Sequence, residues 1–487
     1  MKIRWSVRLA LYAAVTVFVS AYYDSWSATT TMLVRFGVYK DSCPPPVAAG
    51  ESQAQPQEQC EEQLKKLSGL LSVFRISEFV TSIGTGVYMD LLGPKICIIT
   101  AILLRIASWM LLAYMPHYNS LMIVACILCG LTVNAVAFPV YTAARYWPAY
   151  QDMAMCIISA CLSIGCFYVP IMNLIMSLMP DANLPVFVFV KLLITHLPWL
   201  VISVVIFPND TARDIASNMT PAMAEKNQEM QVKEDAPDDS SWNFKTFLGY
   251  IIHPEILVLS VVFILNCISL TFAQESFTQI YINNTIAENF NGIMLPVSFV
   301  FSLVFMWVIN RYGVVVVMLG LNIVSMAMHA FLLSNETVTS IFASICISVT
   351  FSGFITFFFI CLEHIVDIKY SGSMKGYLTT VAGLSLAINP LINYLIATYG
   401  GMNAWQTAFI IIRFVMIAPF LWLMRRERIR RRSGSSAGGM QTDGTRPASR
   451  EAMGKSLDGA NAHGVADEDL LPVSIRLLPG ATVPLTS

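Results

Sequence analysis

Twelve long apolar stretches are the feature of this sequence that most constrains its fold. A helix needs about 20 mostly apolar residues to cross a bilayer, and each stretch has roughly that length. They run over residues 7–32, 67–89, 96–115, 121–141, 153–178, 184–207, 255–274, 292–309, 314–333, 341–362, 378–398 and 404–424. The pattern predicts an all-α integral membrane protein with twelve transmembrane helices, here named spans 1 to 12, which lie in a lipid bilayer.

The composition supports this prediction and excludes several classes of function. The chain is 56% hydrophobic and 13% charged, whereas a soluble domain carries about 25% charged residues. A net charge of -1 gives no reason to expect nucleic acid as a partner. The chain has no phosphate loop, nucleophile elbow or paired CxxC metal motif, and Cys126 and Cys129 lie inside an apolar run. We therefore expect no metal, no cofactor and no enzymatic activity.

The positions of lysine and arginine predict the orientation in the membrane, because cytoplasmic loops are enriched in these residues. With the N-terminus inside, one side collects Lys2, Arg4, Arg8, Lys95, Arg145, Arg311, Lys369, Lys375, Arg425, Arg426 and Arg428. The other side has four such residues, all in the loop 34–66. Both termini are therefore predicted to be cytoplasmic. A cleaved signal peptide ending near Ser20 is the rival interpretation of span 1, although apolar and small residues continue to Val34.

The predicted spans fall into two groups of six. Residues 1–207 form the first half, including an outer loop at 34–66, and residues 251–424 form the second. The stretch 208–250 is polar and lacks apolar periodicity, so we interpret it as a cytoplasmic linker. Residues 425–487 begin with a basic cluster and continue as a Gly- and Ser-rich tail that we expect to be disordered.

The outer side carries predicted covalent modifications. Cys43 and Cys60 are the cysteines that lie well outside the apolar runs, and both fall in the outer loop. We expect them to form a disulfide, with two free thiols as the alternative. Asn283 and Asn335 begin glycosylation sequons on predicted outer loops.

A charged turn, "GVYMDLLGPK" at residues 86–95, interrupts the apolar sequence between spans 2 and 3. A related turn, "NRYG", lies between spans 8 and 9 and contains Asn310, Arg311 and Gly313. Two six-helix halves with the same turn indicate an internal repeat.

The residue types of the first turn suit a gate. Gly86 allows close helix packing, and Gly93 and Pro94 allow a tight reversal. Asp90 can pair with Arg145 at the inner end of span 4, or bind a helix N-terminus. We predict an inner latch that contains Asp90, Lys95 and Arg145. The alternative is a charged turn that only stops translocation of the chain.

The pattern G-x-x-x-D-x-x-G-P-K resembles the inner-loop signature of the major facilitator superfamily. The resemblance implies two six-helix halves that rock about a central site, with these contacts closing the cytoplasmic side. The second turn departs from the signature, since Met306 stands in place of the first glycine and Asn310 in place of the aspartate.

A closer resemblance covers the first 150 residues. The runs "RFGVYKDSC", "CEEQLKKLSGLLSVFRISEFVTSIGTGVYMDLLGPK" and "AFPVYTAARYWP" resemble the large-neutral-amino-acid uniporters of this superfamily and the related apicomplexan amino acid transporters. This resemblance implies facilitated, sodium-independent uniport or exchange of amino acids at the cell surface. It does not identify the amino acid.

Polar residues within the spans are candidates for binding a substrate, because such residues usually face a cavity or a partner. The candidates are Ser20, Tyr23, Asp24, Arg75, Glu78, Ser82, Asn134, Asn173, Asn266, Gln274, Asn389 and Asn393. Arg75 suits a carboxylate, and Asp24 or Glu78 suits an ammonium. Alternatively, Arg75 and Glu78 neutralise each other, and Asn389 and Asn393 join helices.

The sequence therefore predicts a monomeric transporter of neutral, aromatic or cationic amino acids that works by alternating access in the plasma membrane. A carrier of organic anions or sugars, a receptor that does not transport, and an organelle membrane remain alternatives.

Overall fold

Helices account for all the regular structure that is described. The structure, a computed structural model, describes residues 5–19, 26–43, 61–114, 118–147, 150–179, 183–209, 242–281 and 284–438, and these contain no β-strand. Five residues predicted as binding, disulfide or glycosylation sites lie outside this part of the chain: Ser20, Tyr23, Asp24, Cys60 and Asn283.

Every predicted span contains helix. In the first half, helices occupy Trp5–Val19 and Trp26–Arg35 (span 1), Glu61–Leu92 (span 2), Pro94–Tyr114 (span 3), Asn119–Thr142 (span 4), Gln151–Gly165 and Tyr168–Leu178 (span 5), and Leu184–Lys191 and Leu197–Ile206 (span 6). In the second half they occupy Pro254–Ile280 (span 7), Thr285–Val297 and Phe299–Tyr312 (span 8), Val314–Phe331 (span 9), Thr337–Glu363 (span 10), Ser371–Ser385 and Ile388–Tyr399 (span 11), and Met402–Val415 and Ile417–Gly438 (span 12).

The length and apolar character of these helices support a multi-pass membrane protein. Among the described residues, ten helices are long and apolar enough to cross a membrane, or eleven if the pair in span 8, bent by 42°, counts as one span. Span 1 is the remaining predicted crossing, and its two helices lie on either side of residues 20–25, which are not described.

Prolines explain where most of the broken spans are interrupted. Proline lacks an N–H and its ring clashes with the carbonyl four residues earlier, which opens the helix at that point. Spans 5, 11 and 12 break three to four residues before a proline, and span 6 has a π-helical turn at Leu192–His196 just before one. The prolines concerned are Pro170, Pro390, Pro419 and Pro198.

Two boundaries differ from the sequence prediction. The end of the predicted linker is helical, because Phe244–Ile252 forms a helix whose first turn is capped by the side chain of Asn243. The last helix continues to Gly438, well into the predicted tail. Long runs of arginine and glutamate are good helix formers, so the basic cluster extends the helix instead of ending it.

The loop after span 1 folds against the start of span 2. Gln63 is buried, and its Nε2 donates to the carbonyl oxygen of Val38 at 2.7 Å. Lys66 Nζ donates to Ser42 Oγ at 2.7 Å. Cys43 is disulfide-bonded. Its predicted partner, Cys60, lies outside the described residues, so the pairing of these two cysteines stays a prediction.

Spans 2 and 11 pack against each other through glycines. A Cβ on Gly86 would overlap the carbonyl oxygen of Gly372, and a Cβ on Gly376 would overlap that of Ser82. Farther along, Gly383 lies against Phe79. Small residues let helix backbones approach closely. This contact between spans 2 and 11 is here called the glycine seam. It begins at the charged turn and joins the two halves.

Burial shows where the halves meet and where they separate. We call the end of the bundle that holds the 86–95 turn the motif side, and the opposite end the far side. The motif-side helix of span 11 is largely buried, whereas its far-side helix exposes Leu391 and Tyr394 to 57% and 65%. Span 5 shows the same change between its two helices. The halves therefore contact each other on the motif side and leave a cleft that opens to the far side.

The glycine seam yields a test with a matched control in the same helix. Gly86→Ala would place a methyl group against Gly372, whereas Gly84 has nothing within 4 Å of an added Cβ. Alanine is favoured over glycine by about 1 kcal/mol in a helix interior. We expect Gly84→Ala to keep or raise the midpoint of thermal unfolding in detergent and Gly86→Ala to lower it. Equal midpoints for the two variants would show that the seam is not tightly packed.

Candidate functional site

Asp90 caps a helix that belongs to the other half of the protein. Its Oδ1 accepts from the backbone N–H of Gly372 at 3.0 Å, and its Oδ2 accepts from the N–H and the hydroxyl of Ser373, both at 2.6 Å. These N–H groups lie in the first turn of span 11, whose own N-cap residue, Tyr370, makes no side-chain cap. A carboxylate at a helix N-terminus is stabilised by the helix dipole.

Thr380 forms a second polar link between spans 2 and 11. Its hydroxyl accepts from the N–H of Ile83 at 3.0 Å and donates to the carbonyl oxygen of Phe79 at 2.9 Å. In an α-helix this N–H and this carbonyl normally bond to each other, because they are four residues apart. A side chain from one half is therefore inserted into the backbone ladder of the other.

A buried ion-pair network lies beside the Asp90 cap. Arg145 of span 4 bonds through Nε to Glu363 at the end of span 10, and through Nη2 to the carbonyl oxygen of Val366 at 2.9 Å. Glu363 also pairs with Lys375 and accepts from Ser371 Oγ at 2.6 Å. The side chains of Glu363 and Lys375 are 1% and 0% exposed. Two carboxylates and two cations therefore balance: Asp90, Glu363, Arg145 and Lys375, here named the motif-side latch.

A pair formed by a histidine and an aspartate extends this contact to the protein surface. His364 Nε2 lies 3.0 Å from Asp152 Oδ1, which belongs to the first turn of span 5. Burial lowers the pKa of His364, but the hydrogen bond and the negative charge of Asp152 outweigh burial. Glu427 and Glu363 add smaller negative contributions. The net pKa of His364 is therefore raised above the usual histidine value, and the pair favours the protonated imidazole.

Hydroxyl groups connect the halves farther from the motif side. Thr356 of span 10 donates to Ser159 Oγ of span 5 at 2.6 Å and lies 3.3 Å from the hydroxyl of Tyr141 in span 4. Ser159 in turn donates to the carbonyl oxygen of Ser352 at 3.3 Å. These groups are buried. These hydrogen bonds close the space between the two halves at this level.

The described candidate residues of the first half have different partners and do not form one site. Asn134 Nδ2 donates to Ser82 Oγ at 2.7 Å, and Glu78 is buried one turn away on the same face of span 2. Arg75 is half-buried, and it forms no salt bridge with Glu78. Asn173 Nδ2 donates to the carbonyl oxygen of Ala28 at 2.6 Å and so joins spans 5 and 1.

Asn266 belongs to a polar cluster inside the second half. It accepts from Arg413 Nη1, and Arg413 Nε donates to Ser269 Oγ at 3.1 Å. Ser269 lies 2.6 Å from Nε2 of His329, whose Nδ1 lies 2.6 Å from Gln406 Oε1. The Arg413 side chain is fully buried between spans 7, 9 and 12. The cluster therefore joins helices of one half, although Asn266 also lines a small cavity there.

Asn389 and Asn393 lie one turn apart on span 11 and both face span 7. Asn393 Nδ2 donates to Glu275 Oε2 at 2.6 Å, and Asn389 Nδ2 donates to the carbonyl oxygen of Ile268 at 3.3 Å. The amide oxygens of both residues are buried without a hydrogen-bond partner. Gln274 is half-buried and forms no hydrogen bond to another described residue.

The charged turns differ from the predicted latch. Asp90 binds a helix N-terminus, which is the second of the two contacts predicted for it. Arg145 contacts Glu363, so the predicted Asp90–Arg145 pair does not form. Lys95 is half-buried and forms no ion pair within the described part of the chain. Gly93 and Gly313 both adopt a positive φ, of 88° and 86°, which explains the shared glycine.

The second turn makes no comparable latch with the described residues. Asn310 is exposed and has no hydrogen bond to a described residue. Arg311 lies over the rings of Trp307 and Tyr312, at 5.9 Å and 5.6 Å from their centroids. An amide at the aspartate position removes the charge that would bind a helix N-terminus. The departure from the signature in the second half therefore coincides with the absence of a latch there.

Sequence reasoning missed four residues of these networks: Glu363, Lys375, Ser373 and Glu275. Lys375 was counted only as a topogenic charge, and Glu363 stands at the boundary of an apolar run. The signal that was available is the cost of burying a charge, which requires that each cation near a span end have a carboxylate partner.

Removing the charge of Asp90 should open the motif side. Asp90→Asn keeps the shape but weakens three hydrogen bonds, and bonds to a charged group contribute about 1.5–3 kcal/mol each. We expect the amides of Gly372 and Ser373 to exchange with deuterium at least about tenfold faster. Asp367→Asn, which removes a cap confined to the second half, is the control and should not change exchange there. Unchanged exchange in Asp90→Asn would refute the capping role.

The His364–Asp152 pair predicts a pH dependence of motif-side closure. Since the pKa of His364 is raised when the pair forms, the pair is complete below the ordinary value of about 6.5 and is lost as the pH rises through the raised value. Spin labels at Leu91 and Lys369, exposed residues of the two halves, should therefore move apart as the pH rises above the ordinary histidine value of about 6.5.

His364→Gln should abolish this pH-dependent change in distance, whereas His253→Gln, at another exposed histidine, should leave it intact. A change that persists in His364→Gln would assign the pH dependence to a different group.

Comparisons with known sequences identify transporters as relatives of this chain. No protein-family model matches the chain. "Cationic amino acid transporter 8" of Plasmodium berghei is 22% identical over 399 residues, which cover 74% of this chain and 78% of that protein. "Arginine transporter 1" of Toxoplasma gondii is 25% identical over 172 residues, which cover 34% of this chain and 31% of that protein.

A solved structure of a major facilitator superfamily member, the proton:xylose symporter XylE, superposes with a TM-score of 0.59 at 13% identity. The match covers 86% of this chain and 95% of that one. The paired turns, the two six-helix halves and this superposition lead to one conclusion. The chain has the fold of the major facilitator superfamily transporters, and its sequence resembles the apicomplexan amino acid transporters.

Proposed function

We propose that this protein is a facilitative amino acid transporter that works by alternating access. The observation that carries the proposal is the asymmetry between the two ends of the bundle. Polar and ionic contacts hold the halves together on the motif side, while the cleft between them opens to the far side. A carrier of this kind has a second state in which the motif-side contacts break and the far side closes.

The contacts on the motif side suit a reversible closure. The latch, the Thr380 link and the His364–Asp152 pair are polar, so water can satisfy each group after the halves separate. The glycine seam adds close packing without large side chains that would interlock. The closed state is therefore held by several moderate interactions, each of which can re-form in every cycle.

The direction of opening follows from the distribution of charges. The motif side carries most of the lysines and arginines in short loops, which supports a cytoplasmic location for it. In this orientation, which we propose for the plasma membrane, the contacts of the motif side support an outward-open state. The predicted glycosylation site Asn335 then lies outside, where it is exposed.

The substrate class rests on the relatives and on polar groups within the spans. The curated relatives are named as transporters of cationic amino acids and of arginine. Carboxylates and amides in the spans, such as Glu78, Glu275 and Asn393, offer acceptors for an ammonium group.

Uptake by purified protein in proteoliposomes tests the proposal. Labelled arginine, leucine, lactate and glucose are offered with and without a proton gradient, and empty liposomes are the control. We expect saturable amino acid uptake that needs no gradient and is accelerated by unlabelled amino acid inside the vesicles. Uptake of lactate or glucose alone would contradict the amino acid assignment, and no uptake by folded protein would contradict transport.

A further inference from the structure

A short helix that precedes span 7 carries an exposed apolar face. This helix, Phe244–Ile252, is here called the surface helix. Phe244, Leu248 and Ile252 follow one another at four-residue spacing, so their side chains lie on one face. They are 64%, 44% and 63% exposed. A contiguous apolar face of this kind marks a contact with something other than water.

The adjoining face of the surface helix packs against the second half of the protein. Phe247 is buried, and its ring centroid lies 5.9 Å from that of Trp242. The ring of Tyr250 lies 5.6 Å from the ring of Tyr370. The backbone N–H of Asn243 donates to the Tyr370 hydroxyl at 3.0 Å. These contacts fix the helix to the start of span 11 and determine which face it turns outward.

Polar residues occupy the remaining face. Thr246 is exposed and lies nearly opposite Leu248, because two residues correspond to a rotation of roughly 200° about the helix axis. Lys245 is also exposed and borders the apolar face beside Ile252. An apolar face with a cation at its edge and polar residues opposite is the pattern of a helix that lies in the membrane surface.

The position of the surface helix in the chain identifies lipid as the partner of its apolar face. A single residue, His253, separates it from Pro254, where span 7 and its apolar window begin. His253 has φ −60° and ψ 130°, so the surface helix does not continue straight into the span. Trp242, Tyr250 and Tyr370 cluster beside it, and these residue types are enriched at membrane–water interfaces. The exposed face is therefore held at the edge of the bilayer.

The surface helix is also connected to the motif-side latch. Nε1 of Trp242 donates to Ser373 Oγ at 3.2 Å. The same hydroxyl donates to Asp90 Oδ2 at 2.6 Å. A side chain next to the surface helix therefore contacts a residue that completes the cap of span 11.

We propose that the surface helix binds the motif-side surface of the lipid bilayer. Phe244, Leu248 and Ile252 lie among the upper parts of the acyl chains, and Lys245 binds the phosphates of anionic lipids. Through Trp242 this contact holds the start of span 11 at the level of the membrane surface. The proposal is independent of the substrate that the protein transports.

Two exposed positions of the same helix provide the test. Leu248→Cys and Thr246→Cys are each labelled with a nitroxide in protein reconstituted into liposomes. The wild type, labelled in parallel, gives the background of the native free cysteines. Relaxation of the nitroxide by oxygen, which enters the acyl chains, is compared with relaxation by a water-soluble nickel complex. We expect oxygen to dominate at Leu248 and the nickel complex to dominate at Thr246.

Two results at Leu248 would overturn the proposal. Relaxation mainly by the nickel complex, as at Thr246, would show that the apolar face lies in water. Weak relaxation by both reagents would show that protein covers the face in place of lipid.

Lys245→Gln tests the contact with the headgroups. Hydrogen exchange of the backbone of residues 244–252 is measured by mass spectrometry in phosphatidylcholine liposomes with and without phosphatidylglycerol. We expect the anionic lipid to slow exchange about fivefold in the wild type and to have no effect in Lys245→Gln, since one cation near an anionic surface contributes about this factor. Lys40→Gln removes the same charge from an exposed residue on the far side and should keep the difference. Equal exchange in both lipids for the wild type, or a difference that persists in Lys245→Gln, would refute the contact of Lys245 with the headgroups.

Discussion

The capping of span 11 by Asp90 is the interaction on which the closed motif side depends. The first N–H groups of a helix have no partner within it and need an acceptor. In span 11 this acceptor comes from span 2, so the helix start is complete only while the two halves are in contact. The other half of the same chain thus supplies an acceptor that a helix normally obtains from its own neighbouring residues. When the halves part, water must take the place of the carboxylate.

The neighbouring interactions all depend on the same close approach. Glycines at the crossing of spans 2 and 11 bring the two backbones close together. Asp90 can therefore reach the start of span 11, and Thr380 can form hydrogen bonds with the backbone of span 2. The ion pairs of Arg145, Glu363 and Lys375 then close the space at the side. Breaking a buried pair by removing one partner typically costs about 3–5 kcal/mol, whereas separation into water exposes all the charges together and costs less. Removing one charge of the latch is therefore expected to cost more free energy than separating the two halves.

Much of the fold could be predicted from the sequence, because lipid requires long apolar helices and these leave an unmistakable pattern. The turn at 86–95 was also recognisable, since glycine, aspartate and proline at those spacings have strong local preferences. The partners of its charged residues were not. Glu363 lies 218 residues from Arg145, and nothing in local sequence connects them. Glu275, which accepts a hydrogen bond from Asn393, was not among the candidates, because the face of a helix that meets a neighbouring span depends on how the spans pack.

A disulfide across the latch would test most directly whether the motif side must open in each cycle. Oδ2 of Asp90 and Oγ of Ser373 lie 2.6 Å apart, so Asp90→Cys combined with Ser373→Cys places two thiols on the facing sides of spans 2 and 11. Amino acid flux is measured before oxidation, after oxidation and after reduction, with each single cysteine variant as a control. The account predicts that cross-linking stops flux and that reduction restores it. Full flux through protein shown by mass spectrometry to be cross-linked would contradict the account, because the halves would then not need to separate on that side.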